Sequence, residues 1–305
     1  MACLAGGVGA AKFLQGLIRI LPQENLTVIV NTSDDIRLYG LHVSPDPDII
    51  MYTLSGLVDE KKGWGIQNDS FNCLGMLQKY GCETWFKLGD RDLATHIYRT
   101  QLLEEGIPSE EISLKLCEAL GVKARILPVT NQRVEAKIVT EAGKMHFEEY
   151  LVKRESRDKV LDVIIEGAES AHPSLGVIES LLEADGIIVC PSNPIVSIGP
   201  ILAVGKIRET LKETEAKIVA VTPIVKGATI KGPADKLMKG LGMEVSPYSV
   251  ALLYRDFLDV FFLDNEDKVE KRKIESLGVK VVTANTIMRS LKDKIKLAKL
   301  VLQSF

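Results

Sequence analysis

The segment Ser44-Pro45-Asp46-Pro47-Asp48 holds two carboxylates two positions apart, between prolines that fix the backbone and narrow the freedom of the unfolded chain. Such a segment is a platform for a small, hard cation. Mg²⁺ takes one or two carboxylates and completes its shell with phosphate oxygens and water, so Asp46 and Asp48 are candidate metal ligands or orienters of a substrate hydroxyl, both expected to be exposed to a cleft. The simpler reading is a turn in which Asp48 caps a helix beginning near Ile49. A second chemical element is the run Leu4-Ala5-Gly6-Gly7-Val8-Gly9-Ala10-Ala11-Lys12, which leaves a short apolar stretch and opens a helical pattern. Gly6, Gly7 and Gly9 let the backbone approach an anion, and the positive end of the following helix stabilises a phosphate there. The spelling is neither common fingerprint: Lys12 stands where a dinucleotide motif has its third glycine, and no Gly-Lys-Ser/Thr closes a Walker loop.

Three further clusters carry usable side chains. Asn31-Thr32-Ser33-Asp34-Asp35 follows the second apolar run, where a dinucleotide fold offers an acid to the ribose; one of the two acids can cap a turn while the other faces the cleft. Leu88-Gly89-Asp90-Arg91-Asp92 sets a guanidinium between two acids. The planar fork of Arg91 suits two-point recognition of phosphate or carboxylate, with Asp90 and Asp92 holding it in place. His96 and Arg99 follow three apart on one helical face, His96 being either a buried, hydrogen-bonded residue or an acid–base group. In Pro191-Ser192-Asn193-Pro194-Ile195-Val196-Ser197, hydroxyl and amide groups precede a helix, so Ser192, Asn193 and Ser197 can contact a phosphate or nucleobase. Lys226-Gly227 and Lys231-Gly232-Pro233 add two cationic turns that are either functional or solvated.

The elements that must position these residues follow from hydrophobic periodicity. Strand-length apolar runs at Leu26–Val30, Thr84–Leu88, Gly186–Cys190, Lys217–Thr222, Val260–Leu263 and Val279–Thr283 alternate with amphipathic stretches, among them Ala10–Ile20, Pro200–Leu211 and Ile287–Leu302. This predicts an α/β, three-layer, Rossmann-like fold with a mainly parallel, doubly wound sheet. The loops at the carboxyl ends of its strands should converge on one crevice. Between about 100 and 180 the rhythm changes. A helix from Ser109 to about Leu120, with Ser109 as its cap, precedes a hairpin pairing Val134–Ile138 with Lys144–Leu151 across Glu141-Ala142-Gly143. Residues 1–99 and 181–305 are therefore expected to form the nucleotide-binding core, and 100–180 an inserted α+β subdomain.

Composition excludes several function classes. The 305 residues are 46% apolar with a net charge of −3, and the lysines are scattered instead of gathered in a stripe, which argues against a nucleic-acid partner. Five cysteines, odd in number and without C-x-x-C spacing, suggest neither a disulfide framework nor a cysteine zinc site. No apolar run reaches about 18 residues and no charged start precedes a signal-like core, so no membrane span and a cytoplasmic location are expected.

Together and in this order the motifs resemble the 2-phospho-L-lactate transferases along nearly the whole chain. The matching text is Ala5–Gly9 with Lys12-Phe13-Leu14, Val30-Asn31-Thr32 with Asp34-Asp35, Gly40-Leu41, Ser44–Asp48, Tyr52-Thr53-Leu54, Gly63-Trp64-Gly65, Leu88–Asp92 with Thr95-His96, Pro191–Pro194 with Ser197-Ile198-Gly199, and Pro223-Ile224. Pro47 departs from the leucine that many relatives carry. The resemblance implies transfer of a 2-phospholactyl group from lactyl-2-diphospho-5′-guanosine to the terminal ribityl hydroxyl of the deazaflavin Fo, with Mg²⁺ assisting and GMP leaving, in coenzyme F-420 biosynthesis; related enzymes use a phosphoenolpyruvyl donor. It further implies that the Gly6–Lys12 turn with Ser192 and Asn193 holds the guanosine diphosphate, as in a GDP complex, and that Asp48 and Arg91 bind Fo. Asp46, Asp48 and Asp35 are then the carboxylates that hold metal or orient the hydroxyl, and Asn31, Asp90, His96 and Ser197 complete the ligand-binding set; a homodimer is expected. Two competing readings are a UDP-sugar-binding regulator, which needs the nucleotide crevice but no acceptor site, and a nicotinamide dehydrogenase, which the missing third glycine disfavours.

Overall fold

Ala2–Ala5, all four residues buried, form the strand around which the sheet is assembled in the computed structural model, which describes residues 1–305. In chain order the elements are β1 (Ala2–Ala5), α1 (Gly7–Leu17), β2 (Thr27–Val30), β3 (Ile36–Leu38), β4 (Leu41–Val43), α2 (Pro45–Leu54), α3 (Asn72–Lys79), α4 (Asp90–Glu104), α5 (Ser109–Ala119) and β5 (Arg125–Pro128). Then come β6 (Glu135–Thr140), β7 (Gly143–His146), β8 (Val160–Glu166), α6 (Val177–Leu182), β9 (Gly186–Val189), α7 (Ile198–Ala203), α8 (Ile207–Glu213) and β10 (Lys217–Val221). The chain finishes with β11 (Ile224–Val225), β12 (Ala228–Thr229), α9 (Ala234–Gly240), α10 (Pro247–Tyr254), β13 (Val260–Asp264), α11 (Lys271–Glu275), β14 (Lys280–Ala284) and α12 (Leu291–Leu302).

Seven strands form one parallel sheet in the order β14-β13-β10-β9-β1-β2-β5. Both faces are covered, which is why the strands are near-continuous apolar runs. Phe13 and Leu14 of α1, Ile50 of α2, Ile112 of α5 and Leu297 of α12 pack on one face; Leu181 of α6, Ile201 of α7, Ile207 of α8 and Val250 of α10 pack on the other. The result is the three-layer, doubly wound α/β fold. From β1 the chain winds outward through β2 and β5, then returns to β9 and winds the other way, so the topological switch lies between β1 and β9.

Several expected elements are placed differently. Thr84–Leu88 is not a strand: Leu88 packs against Val43 and Leu93 beside the short β3–β4 hairpin, and the segment joins no sheet. The helix expected over Pro200–Leu211 is broken into α7 and α8 by Lys206, whose φ is +69°. Ser109 does not cap α5; Pro108 holds that position. Asp48 lies within the first turn of α2, which starts at Pro45, where proline is preorganised for the first helical position and nearby acids complement the helix dipole.

The 100–180 stretch contributes to the main body more than expected. Helix α4 runs through residue 104, α5 packs on β5, and β5 is an edge strand of the seven-stranded sheet. What stands apart is the antiparallel sheet β7-β6-β8, whose hairpin pairs Lys137 with His146 and Thr140 with Gly143. Its Ile138, Phe147 and Tyr150 pack against Val196 and Leu237 of the main body. That packing brings residues 147–152 to the carboxyl ends of the central strands. No helix is long and apolar enough to cross a membrane.

Candidate functional site

A cleft of about 490 Å³ opens at the switch point between β1 and β9. Its floor is the glycine turn Gly6–Gly9 after β1, facing Pro191, Ser192 and Asn193 after β9. The glycines are required by close approach: a Cβ on Gly9 would fall 2.0 Å from the carbonyl oxygen of Pro191, and one on Gly6 2.5 Å from Asp46 Oδ2. The Gly6 N–H donates to Ser192 Oγ at 3.2 Å, and Asn193 Oδ1 accepts from the backbone N–H groups of Ile195 and Val196, which fixes the turn ahead of Ser197. Lys12, Ser192, Asn193 and Ser197 all line this cleft.

Beside the turn lie three buried carboxyls, Asp34, Asp46 and Glu148. Asn31, fully buried, donates from Nδ2 to Asp46 Oδ2 at 2.9 Å and to the Val196 carbonyl at 3.2 Å, so it holds the acid and does not itself line the cleft. Burial raises the Asp46 carboxyl to about 7 despite the hydrogen bonds from Asn31 and the Gly7 backbone. Glu148 is pushed up to about 8, by burial first and the charge of Asp46 second. Asp34 is raised well above the ordinary carboxylate range by burial, then by Asp46 and Glu148. No set of three or more His, Cys, Asp or Glu side chains is arranged to chelate an ion unaided.

A second polar network surrounds Asp48. Arg99 donates from Nη1 to Asp48 Oδ2 at 3.0 Å and from Nη2 to Asp48 Oδ1, both residues being buried. His96 Nδ1 lies 3.2 Å from the same guanidinium, and its Nε2 is 3.3 Å from Asp92 Oδ1, which accepts from the Tyr52 hydroxyl at 2.8 Å. Asp48, Tyr52, Asp92 and His96 line the cleft, and Val43, Ile49, Phe86, Phe147, Leu151 and Val152 give it an apolar wall. A cationic rim completes the outline. Lys12 and Lys231 both line the cleft, and Lys231 is depressed by burial and by the charge of Lys12.

Four sequence expectations are corrected by this geometry. Asp46 and Asp48 line the cleft but are only 5% and 4% exposed, and both oxygens of Asp48 are engaged by Arg99, which leaves it poorly suited to bind metal. Asp35 does not reach the main cleft; it accepts from Ser44 Oγ at 3.0 Å beside His42 Nε2 at 2.8 Å, while Asp34 is the cleft-facing acid of the pair. Asp90 accepts from Ser70, Asn72 and the Cys73 N–H, which hold it down to about 2, the Ser70 hydroxyl contributing most; it fixes the start of α3 and touches no cleft. Arg91 is exposed, donates to the Gln67 carbonyl at 3.3 Å and is not among the cleft residues. Lys87, four positions earlier, is the cation of that segment that lines the cleft. Glu148 carried no sequence signal, because its stretch has only the alternation of a hairpin.

The family model described as 2-phospho-L-lactate transferase CofD matches residues 1–297. A 2-phospho-L-lactate transferase of Methanosarcina mazei is 41% identical over 305 residues, covering all of both chains. A phosphoenolpyruvate transferase of Kitasatospora aureofaciens is 39% identical, covering 98% of this chain and 95% of that one. A crystal structure of a UPF0052-family protein from Bacillus halodurans shares the fold, with a TM-score of 0.67 at 18% identity over 99% of this chain and 98% of that chain. On a family match over residues 1–297 and full-length relatives at about 40% identity, this chain belongs to the 2-phospho-L-lactate transferase (CofD) family.

Proposed function

We infer that this protein is an enzyme that transfers a 2-phospholactyl group, and that its acceptor is the terminal ribityl hydroxyl of Fo and its donor a guanosine diphosphate conjugate that releases GMP. The observation that carries this reading is one cleft with two chemically distinct ends. At one end the Gly6–Gly9 turn, the start of α1, Lys12 and Lys231 offer backbone N–H groups and positive charge to a diphosphate. At the other, Phe86, Phe147 and Leu151 face a flat aromatic acceptor, with Asp48, held by Arg99, available to its polar groups. Phosphoryl transfer needs alignment and charge neutralisation more than covalent catalysis, and a cleft that seats both partners supplies the alignment.

Mg²⁺ fits the carboxylates on the donor side. Asp46 lies close enough to Asp34 for its charge to raise the proton affinity of Asp34, a repulsion that a dication relieves, and Mg²⁺ completes its shell with phosphate oxygens and water. Asp46, with Asp34, would hold it, and the ion would neutralise charge on the diphosphate as the bond to GMP breaks. Relatives named for 2-phospho-L-lactate and for phosphoenolpyruvate transfer match this chain about equally well, so both donors belong in the test. A cytoplasmic homodimer is part of the same reading; light scattering of the purified protein tests the dimer.

The experiment is a transfer assay with Fo, each donor in turn, and Mg²⁺ or EDTA, following the acylated deazaflavin and GMP by chromatography. Product and GMP in equal amounts, abolished by EDTA, are expected. Absence of product with either donor, together with a melting shift by a UDP-sugar but not by GDP, would replace this reading by the nucleotide-sugar regulator.

A further inference from the structure

Glu148 lies where the two ends of the cleft meet. It follows Phe147 and precedes Leu151 and Val152, which belong to the apolar wall, yet it feels the charge of Asp46 beside the glycine turn. Of the three buried carboxyls it alone has no side-chain partner. Asp46 accepts from Asn31 Nδ2, and Asp34 Oδ1 accepts from Ser33 Oγ at 3.2 Å. The hydrogen bond recorded for Glu148 is made by its backbone N–H, to His146 Nδ1 at 3.2 Å. The residue as a whole is 5% exposed, and its unpaired carboxyl oxygens keep contact with the open cleft, where a ligand hydroxyl can donate to them. The hairpin β6–β7 and the π-helical turn Glu149–Lys153 hold it there against the packed side chains of Ile138 and Tyr150.

From this placement we propose that Glu148 is a catalytic residue whose carboxyl oxygen accepts a hydrogen bond from the reacting hydroxyl of the acceptor and turns that hydroxyl oxygen toward the donor phosphorus. The proposal rests on the transferase reading above. Asp46 and Asp34 are engaged on the donor side, Asp48 is held by Arg99 and Asp92 accepts from the Tyr52 hydroxyl beside His96, so Glu148 is the cleft acid without a side-chain partner, free to meet a hydroxyl entering along the Phe147 wall. The inserted hairpin thereby acquires a role in the reaction: it delivers the acceptor-orienting group from outside the Rossmann core.

The test compares wild type with Glu148→Gln, Glu148→Asp and Glu148→Ala, measuring transfer to Fo alongside separate fluorescence titrations with GDP and with Fo. Glu148→Ala should lower kcat at least about a hundredfold, the scale of losing one preorganised polar contact, with GDP affinity within threefold of wild type. Glu148→Gln, which preserves shape and an accepting oxygen, should recover part of that loss. Transfer by Glu148→Ala within threefold of wild type would overturn the proposal. So would a parallel fall in GDP affinity, which would place Glu148 on the donor. Wild type that binds both ligands but transfers nothing would instead sink the transferase reading itself.

Discussion

Arg99 lays its guanidinium across both carboxylate oxygens of Asp48, a residue 51 positions earlier in the chain, and the pair is buried together with His96. The helix α4 supplies the cation and the first turn of α2 the anion, so the ion pair ties the acceptor wall to the element that also carries Asp46. Removing one member of such a pair strands the other charge in a low-dielectric site. Arg99→Ala should therefore cost about 3–5 kcal/mol of stability in urea unfolding, and Arg99→Lys, which keeps charge but loses the planar fork, should also weaken Fo binding. A cost under about 1 kcal/mol for Arg99→Ala, the range of an exposed pair, would show that the pair is not buried in solution.

Gly9 and Gly75 are predicted to respond oppositely to alanine. A methyl on Gly9 meets the backbone oxygen of Pro191, which cannot swing aside, whereas one on Gly75, inside α3, meets nothing within 4 Å. Gly9→Ala should depress the melting temperature and abolish GDP binding. Gly75→Ala should stabilise by about 0.5–1 kcal/mol through helix propensity. Equal behaviour of the two variants in a melting series would contradict the close approach of β1 and β9 turns.

Stability without metal should fall as pH rises. Asp46 and Glu148 are pushed up to about 7 and about 8, above the carboxylate values of the unfolded chain, so the native state binds more protons. Their contribution is complete below about pH 4 and is lost as pH rises through about 7 to 8. Urea midpoints in EDTA should decline from pH 5.5 to pH 8.5, and Glu148→Gln should flatten the decline and exceed wild type at pH 8.5. A steeper decline in the variant would mean that Glu148 is ionised in the native state across this range.

Lys87 and Arg91 divide sharply by position although they are four residues apart. Lys87 lines the cleft beside Phe86, whereas Arg91 leans on the Gln67 carbonyl at the surface. Arg91→Lys should leave transfer within about threefold of wild type, since surface changes away from specific features have small effects. Lys87→Ala should raise the KM for Fo or for the donor at least about tenfold, the equivalent of about 1.4 kcal/mol. Loss of transfer confined to the Arg91 variant would reverse these assignments.

The strand, turn and helix around Gly6–Lys12 were legible in sequence because each depends on neighbours a few residues away: an apolar run, glycines that admit close approach, and a helical pattern after them. The same holds for β2, β9, β10, β13 and β14, whose apolar runs reflect a sheet buried on both faces. Proline at the start of α2 and the alternation of β6 are equally local. Partner choice is not. That Asp48 meets Arg99 instead of a metal, that Asp34 turns to the cleft while Asp35 turns to Ser44 and His42, and that Asn31 holds Asp46 all depend on distances between elements far apart in the chain. Thr84–Leu88 has a strand's composition but packs through Leu88 on Val43 and Leu93 and joins no sheet, because pairing depends on where the segment is placed and not on its composition. Glu148 is the extreme case: nothing around it in sequence distinguishes it from a solvated hairpin acid, and only the packing of Phe147 and Tyr150 against Val196 and Leu237 buries it at the meeting point of the two ends of the cleft.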